Sequence, residues 1–213
     1  MSVPAERVAG FLARFGERHG ELTWEADPLL VVVTARDGAQ ARCRVPFPPL
    51  PVDPSAAYGG LVEHVERARR VGVVLVRRGG YAAGIFDGSQ LVASKVGSRH
   101  VQGRSAAGGW SQQRFARRRE GQARVAEQAA ADVIAAVLLR EAASLDAVVA
   151  GGDRVTCDRV LADPRLASLL PLLLEDRIAV PDPRQRVLAA SAEAFRAMHV
   201  QVIDPVREPS AGG

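Results

Sequence analysis

Cysteine is scarce in this chain of 213 residues: Cys43 and Cys157 are the only two. They lie far apart and form no pair motif, so they read as reduced, small core residues of a cytoplasmic protein. The length suffices to bury a real core, so neither disulfides nor a metal is needed to fold it. Long apolar runs are also missing. No stretch approaches the ~20 residues of a membrane-spanning helix. The first twenty residues mix Glu and Arg and lack the apolar stretch of a signal peptide. The four histidines, His19, His64, His100 and His199, are scattered without metal-ligand spacing. A first core strand expected over 71–76 carries no carboxylate. A nuclease of the ribonuclease-H type needs clustered acids to hold its metals, and only Asp87 and Asp146 offer themselves. Neither a phosphate-binding P-loop nor a dinucleotide fingerprint is present. The expectation is a protein with no metal, no cofactor and no membrane partner.

Lysine is nearly absent too: Lys95 is the only one. The charge that is present is unevenly spread. The pI is about 9.8 and the formal net charge +4. Between positions 95 and 124 stand eight basic residues, Lys95, Arg99, Arg104, Arg114, Arg117, Arg118, Arg119 and Arg124, against one acid, Glu120. That segment carries +7, which leaves −3 for the rest of the +4 chain. Positive charge gathered in thirty residues points to a polyanion-facing side.

Hydrophobic spacing predicts a short amphipathic helix over 4–19, from Val8, Phe11, Leu12 and Phe15. Strands are expected over 22–25, 29–34 and 41–45, the last two joined by the turn pair Asp37-Gly38. Five prolines between 46 and 54 then forbid helix or central strand and read as a connection. A proline-rich ligand for a partner is the other reading of that stretch. From 57 the pattern changes. A helix over 61–70 precedes three short strands, 71–77, 81–87 and 90–95, separated by Gly79-Gly80 and Gly88-Ser89. Tight turns of that kind make an antiparallel meander. A long helix over about 111–144 follows, then a buried strand at 147–150, helix from 153 toward 162, more helix after Pro164, a strand near 177–180 and a final helix over 184–199. The expected fold is α/β, a three-layer domain in the order of a ribonuclease-H-like fold: a three-strand antiparallel meander, then alternating helices and strands. The expected organisation is a small N-terminal α+β segment over 1–56, a main domain over 57–205 and a flexible tail over 206–213.

The informative stretch joins the third strand of the meander to the long helix. About fourteen small, flexible, basic residues lie between Val96 and Ser111, and a connection that long in a compact domain is either functional or disordered. It ends in Gly108-Gly109-Trp110-Ser111-Gln112-Gln113-Arg114-Phe115. Hydrolysing an ester deep in an RNA-walled cavity calls for three things in one probe. Glycines keep it thin and permit unusual φ/ψ. A neutral tip such as glutamine, both donor and acceptor, can place a water at the carbonyl. Arginines at its base hold phosphates. Here Gly108-Gly109, Gln112-Gln113 and then Arg114 with Arg117 to Arg119 come in that order. The plainer reading makes Ser111 a helix N-cap, with Trp110 and Phe115 as a hydrophobic staple and both glutamines on a surface turn. The two readings are compatible. Arg114, Arg117 and Arg118 share a helix face, where a partner phosphate would relieve their repulsion; a solvated face is the alternative.

This segment resembles the motif of the Vms-type, release-factor-like peptidyl-tRNA hydrolases in their actinobacterial form. Those proteins are relatives of the middle domain of eukaryotic and archaeal class I release factors, whose Gly-Gly-Gln loop triggers peptide release. The resemblance covers roughly 57–205, and its specific part is 95–124. It implies a ribonuclease-H-like catalytic domain that frees chains from stalled ribosomes. The implied partners are the large ribosomal subunit and peptidyl-tRNA, and the protein is expected to act as a monomer. Gly108, Gly109, Ser111, Gln112 and Gln113 are the implied catalytic positions, and the basic residues named above the RNA-binding ones. Trp110 and Ser111 interrupt a plain Gly-Gly-Gln. Either glutamine can therefore be the catalytic one, with Gln112 closer to the spacing of the Vms-type motif. A non-catalytic binder of ribosomal RNA or tRNA, using the same basic loop, is the competing function. Gly151-Gly152-Asp153 reads as a strand-to-helix turn with Asp153 as N-cap, or as an anion site. His100 lies in the basic loop, either touching RNA or as a plain loop residue.

Overall fold

A computed structural model of the protein describes residues 1–77, 79–99 and 111–205, with backbone alone from 111 to 119. The chain divides into two compact units. One is Met1–Arg67 together with Arg196–Gly213, the other Ala68–Phe195.

The first unit is built on an antiparallel sheet. Its strands are β1 (Ser2–Val3), β2 (Leu22–Ala26), β3 (Leu30–Ala35), β4 (Gln40–Arg44) and β10 (Met198–Ile203), ordered β1-β10-β4-β3-β2. Period-two alternation buries Val31, Val33 and Ala35 on β3, Ala41 and Cys43 on β4, and Met198 and Val200 on β10. Helix α1 (Val8–His19) buries Val8, Leu12 and Phe15, spaced four and three apart as one helical face requires, in the same core. Short α2 (Leu61–Glu66) adds Leu61 and Val65.

The second unit has a mixed sheet. β5 (Arg70–Arg77), β6 (Gly80–Asp87) and β7 (Gln90–Ser98) form the antiparallel meander. β8 (Ala147–Gly152) pairs parallel to β5, and β9 (Leu173–Ile178) parallel to β8. The order is β7-β6-β5-β8-β9, so the third, second, first, fourth and fifth strands of the unit lie side by side. Helices cover both faces. On one, α3 (Ser111–Leu138) and α4 (Arg154–Leu161) bury Ala130, Ile134, Leu138, Cys157 and Val160 against Val74, Val76, Tyr81, Ala83 and Ile85. On the other lies α5 (Gln185–Arg196). There Phe195 packs edge-on against Phe86 with ring centroids 5.2 Å apart. Gly84 lets α5 come close: a Cβ there would stand 3.0 Å from Leu188 Cδ2 and 2.8 Å from Leu91 Cδ1. The α/β class and the three-strand meander are as the sequence leads one to expect.

Several elements differ. The helix expected over 61–70 ends at Glu66, and Arg70 already opens β5. The last helix ends at Arg196, and the residues from Met198 form β10, whose antiparallel partners on β4 are some 155 positions earlier. The strand expected near 177–180 begins earlier, at Leu173. The long α-helix stops at Leu138, and Leu139–Ser144 continue as a 3-10 helix. The units meet at Arg67/Ala68 and Phe195/Arg196, whereas the sequence placed the boundaries at 56/57 and 205/206. The cause is burial: α2 and β10 both put their apolar side chains into the first unit's core. The tail over 206–213 lies outside the described residues. Among those described, no helix is long and apolar enough to cross a membrane.

An ion-pair cluster ties the lower part of α3 to the 3-10 segment Pro164–Leu172. Arg165 donates to Asp163 and, at 2.8 Å, to Asp132 of α3. The Arg165 guanidinium, with its backbone N–H, holds the Asp163 carboxyl down at about 2. A carboxylate depressed in the folded state stabilises above its ordinary value of 3.8 and loses that contribution as pH falls through the folded value. Asp163→Asn should therefore be less stable than the parent at neutral pH. The gap should narrow between pH 4 and 2 in denaturation midpoints measured across that window.

Candidate functional site

The candidate site is built at one end of the second unit's sheet, where β5, β7, β8 and β9 finish and β6 begins. β7 is an edge strand, and near its end Gly97 lies under the Tyr81 ring, so closely that a Cβ would overlap it. The chain then leaves the sheet, with the Arg99 N–H donating to Gly79 O at 2.8 Å beside the β5–β6 turn. It returns as α3 at Ser111. Arg104, Gly108 and Gly109, together with His100 and Trp110, lie outside the described residues. Ser111, Gln112 and Gln113 are the first three residues of α3, and Arg114, Arg117, Arg118 and Arg119 follow within three turns. Their side chains are outside the described residues, as is the staple expected from Trp110 and Phe115.

α3 is 28 residues long, which at 1.5 Å per residue spans ~42 Å. Its side chains are described from Glu120 onward. Among these, burial begins at Ala126 and continues through Ala130, Ala131, Val133, Ile134 and Leu138. Between Glu120 and Val125 every residue is exposed or half-buried; Val125 is 60% exposed, and nothing lies within 4 Å of where a Gly121 Cβ would be. That part of the helix is only partly covered. Of the expected basic residues, Lys95 on β7, Arg99 just after it and Arg124 on α3 are all exposed. Arg114 and Arg117 to Arg119 are placed by helix register alone, one to three turns ahead of Arg124.

The two carboxylates weighed for metal binding are elsewhere. Asp87 and Asp146 sit at the opposite end of the sheet, gathered with Glu141 around Arg70. Asp146 Oδ2 accepts from the Arg70 N–H at 2.7 Å, Glu141 Oε2 from Arg70 Nε at 2.9 Å, and Asp87 Oδ2 is 3.9 Å from Arg70 Nη1. Eight strand residues, ~25 Å, separate them from the Gln112 end. Among the described residues no group of three His, Cys, Asp or Glu is placed to hold a metal ion. Neither thiol is poised to react: burial pushes Cys43 up to about 12 and Cys157 up to about 11.

Gly151-Gly152-Asp153 is a strand-to-helix turn. Asp153 caps α4, its Oδ1 accepting from Thr156 N at 2.8 Å and Thr156 Oγ1 at 2.5 Å. Those bonds hold its carboxyl below the usual range. Gly152 has φ +101°, and a Cβ there would run into the Val76 carbonyl oxygen.

Two basic residues that one-dimensional charge counting did not single out lie at the same end. Arg77, at the end of β5, and Arg184, ahead of α5, line an open cleft of about 470 Å³ with Gly97 and Ser98 of β7. Both lie outside the basic segment 95–124: Arg77 stands in the pair Arg77-Arg78, and Arg184 follows Asp182 and Pro183. The signal that finds them is their position at the strand ends.

The solved structures that this chain resembles include the crystal structure of an archaeal translation termination factor, aRF1. That match has 14% identity and a TM-score of 0.41, and covers 76% of this chain and 51% of that one. A second, described as an archaeal protein, shows 16% identity and a TM-score of 0.36, covering 76% of this chain and 49% of that one. The chain spans about half the length of these structures. No curated protein matches. A family model described as "Actinobacteria/chloroflexi VLRF1 release factor" matches residues 69–201, more than half of the chain. The chain belongs to this release-factor family.

Proposed function

We propose that this release-factor-like protein hydrolyses the ester between a nascent peptide and its tRNA on stalled ribosomes. The observation that carries the proposal is the place of Gln112 and Gln113. They open a helix that is only partly covered between Glu120 and Val125, they follow the Gly108-Gly109 pair, and an arginine run succeeds them. In this reading the arginines hold RNA phosphates, the glycines keep the probe thin, and Gln112 places a water against the ester carbonyl. The backbone N–H groups of the first helical turn add positive potential where the tetrahedral oxyanion develops. Gln113 is the alternative for the same role. Glutamine is a poor base, so its contribution is positioning, within a site walled by ribosomal RNA.

The strand order, with the second strand of the meander reversed and helices on both faces, supports a ribonuclease-H-like reading of the second unit. Family membership supports a role in translation. The partners in this account are the large ribosomal subunit and peptidyl-tRNA, met by a monomer in the cytoplasm without metal or cofactor. The direct test adds the purified protein to stalled ribosomes carrying labelled peptidyl-tRNA. Hydrolysis yields free peptide and deacylated tRNA. Binding without conversion would leave the competing reading, an RNA-binding protein with no chemistry.

The arginines give a separate expectation. Replacing Arg117, Arg118 and Arg119 together with Ala should weaken association with ribosomes. The salt dependence should also flatten, by ~0.7–0.9 in log–log slope for each phosphate that is no longer neutralised. Thermal stability should hardly move. Co-sedimentation across a salt series reads both.

A further inference from the structure

We infer that the cleft at the foot of the β7–α3 connection is a phosphate subsite that grips an RNA backbone beside the reacting end. The inference takes its RNA partner from the hydrolase reading and adds to it a second point of attachment. The cleft, about 470 Å³, is of ligand-pocket size. Gly97 and Ser98 of its lining are the last residues of β7, where the connection that leads to the glutamines begins.

Its chemistry favours an anion. Two arginines, Arg77 and Arg184, line it with one carboxylate, Asp182, and Asp153 is a further acid near Arg77. Arg77 is half-buried and held in place, with Nη1 donating to Val180 O at 2.7 Å, so this cation is positioned before any ligand arrives. Arg184 is exposed at the start of α5. No acidic residue stands in the first turn of α5, where one would normally offset the helix dipole, and Arg186 adds a further positive charge there. Gly97 sits beneath the Tyr81 ring, and the exposed Ser98 beside it brings a hydroxyl to the lining. A bidentate guanidinium pair with an adjacent hydroxyl group matches the oxygens of a phosphodiester.

Two RNAs offer that group, the acceptor strand of tRNA and ribosomal RNA, and two probes separate them. The full chain is titrated with a labelled RNA oligonucleotide ending in CCA, and with purified large subunits lacking tRNA. Arg184→Ala should weaken binding three- to tenfold and make the log–log salt slope shallower by ~0.7–0.9. Asp182→Asn should tighten binding, a gain that a damaged fold could not produce. Weaker binding of the oligonucleotide alone assigns the phosphate to the acceptor strand, and weaker binding of subunits assigns it to ribosomal RNA; either upholds the subsite. Unchanged affinity and slope in both variants, with melting curves like the parent's, would overturn it. The readout is binding, so it stands apart from hydrolysis. If the glutamine variants release peptide normally while Arg184→Ala binds RNA poorly, the hydrolase reading fails and the cleft remains.

Discussion

Gly152→Ala should lower the stability of the second unit by about 3 kcal/mol. Two costs add. A non-glycine residue at left-handed φ costs roughly 1–2 kcal/mol, and Gly152 has φ +101°. The new Cβ would also meet the Val76 carbonyl oxygen, to which the Asp153 N–H donates at 2.9 Å. Backbone cannot step aside as a flexible side chain does, and such overpacking costs about 1–3 kcal/mol. The melting transition should fall by ~10 °C. Gly121→Ala is the matched control. It sits inside α3 with nothing within 4 Å of the added Cβ, so helix propensity alone should make it neutral or stabilising by up to ~1 kcal/mol. Thermal melts of the two variants side by side check both signs.

Gln112→Ala should lower peptide release at least tenfold, equivalent to ~1.4 kcal/mol of transition-state stabilisation, with ribosome binding nearly intact. A water-positioning group acts in the transition state and adds little to binding a large RNA surface. If Gln113→Ala has the large effect instead, the chemistry stands and the role moves one residue along. Single-turnover release rates, measured beside co-sedimentation, separate the two positions.

Much of this architecture is legible in the residues themselves. Gly79-Gly80 and Gly88-Ser89 punctuate the meander, and continuous apolar runs mark β5 and β8 as doubly covered strands. Asp153 is recognisable as a cap because a short acceptor after Gly-Gly is what a strand-to-helix turn needs, and Thr156 N is indeed its donor. β10 is not legible. Met198, Val200 and Val202 alternate, but the strand follows a helix almost at once and pairs with β4 across most of the chain. Local pattern says nothing about such a partner. β9 is displaced from its expected place for a related reason: its leucines continue an apolar run from the 3-10 segment, and its parallel partner is remote. The candidate site divides the same way. The Gly-Gly and Gln-Gln pairs and the arginine run are contiguous, so sequence finds them. Arg77 and Arg184 are 107 positions apart, and only the sheet brings them to one cleft.

The most direct measurement is a time course of peptidyl-tRNA cleavage on purified stalled ribosomes, comparing the parent with the Gln112→Ala, Gln113→Ala double variant. Hydrolysis through the helix-tip glutamines predicts free peptide from the parent and tRNA-linked peptide persisting with the double variant, although it still co-sediments with ribosomes. Release by the double variant at the parent's rate would contradict the account.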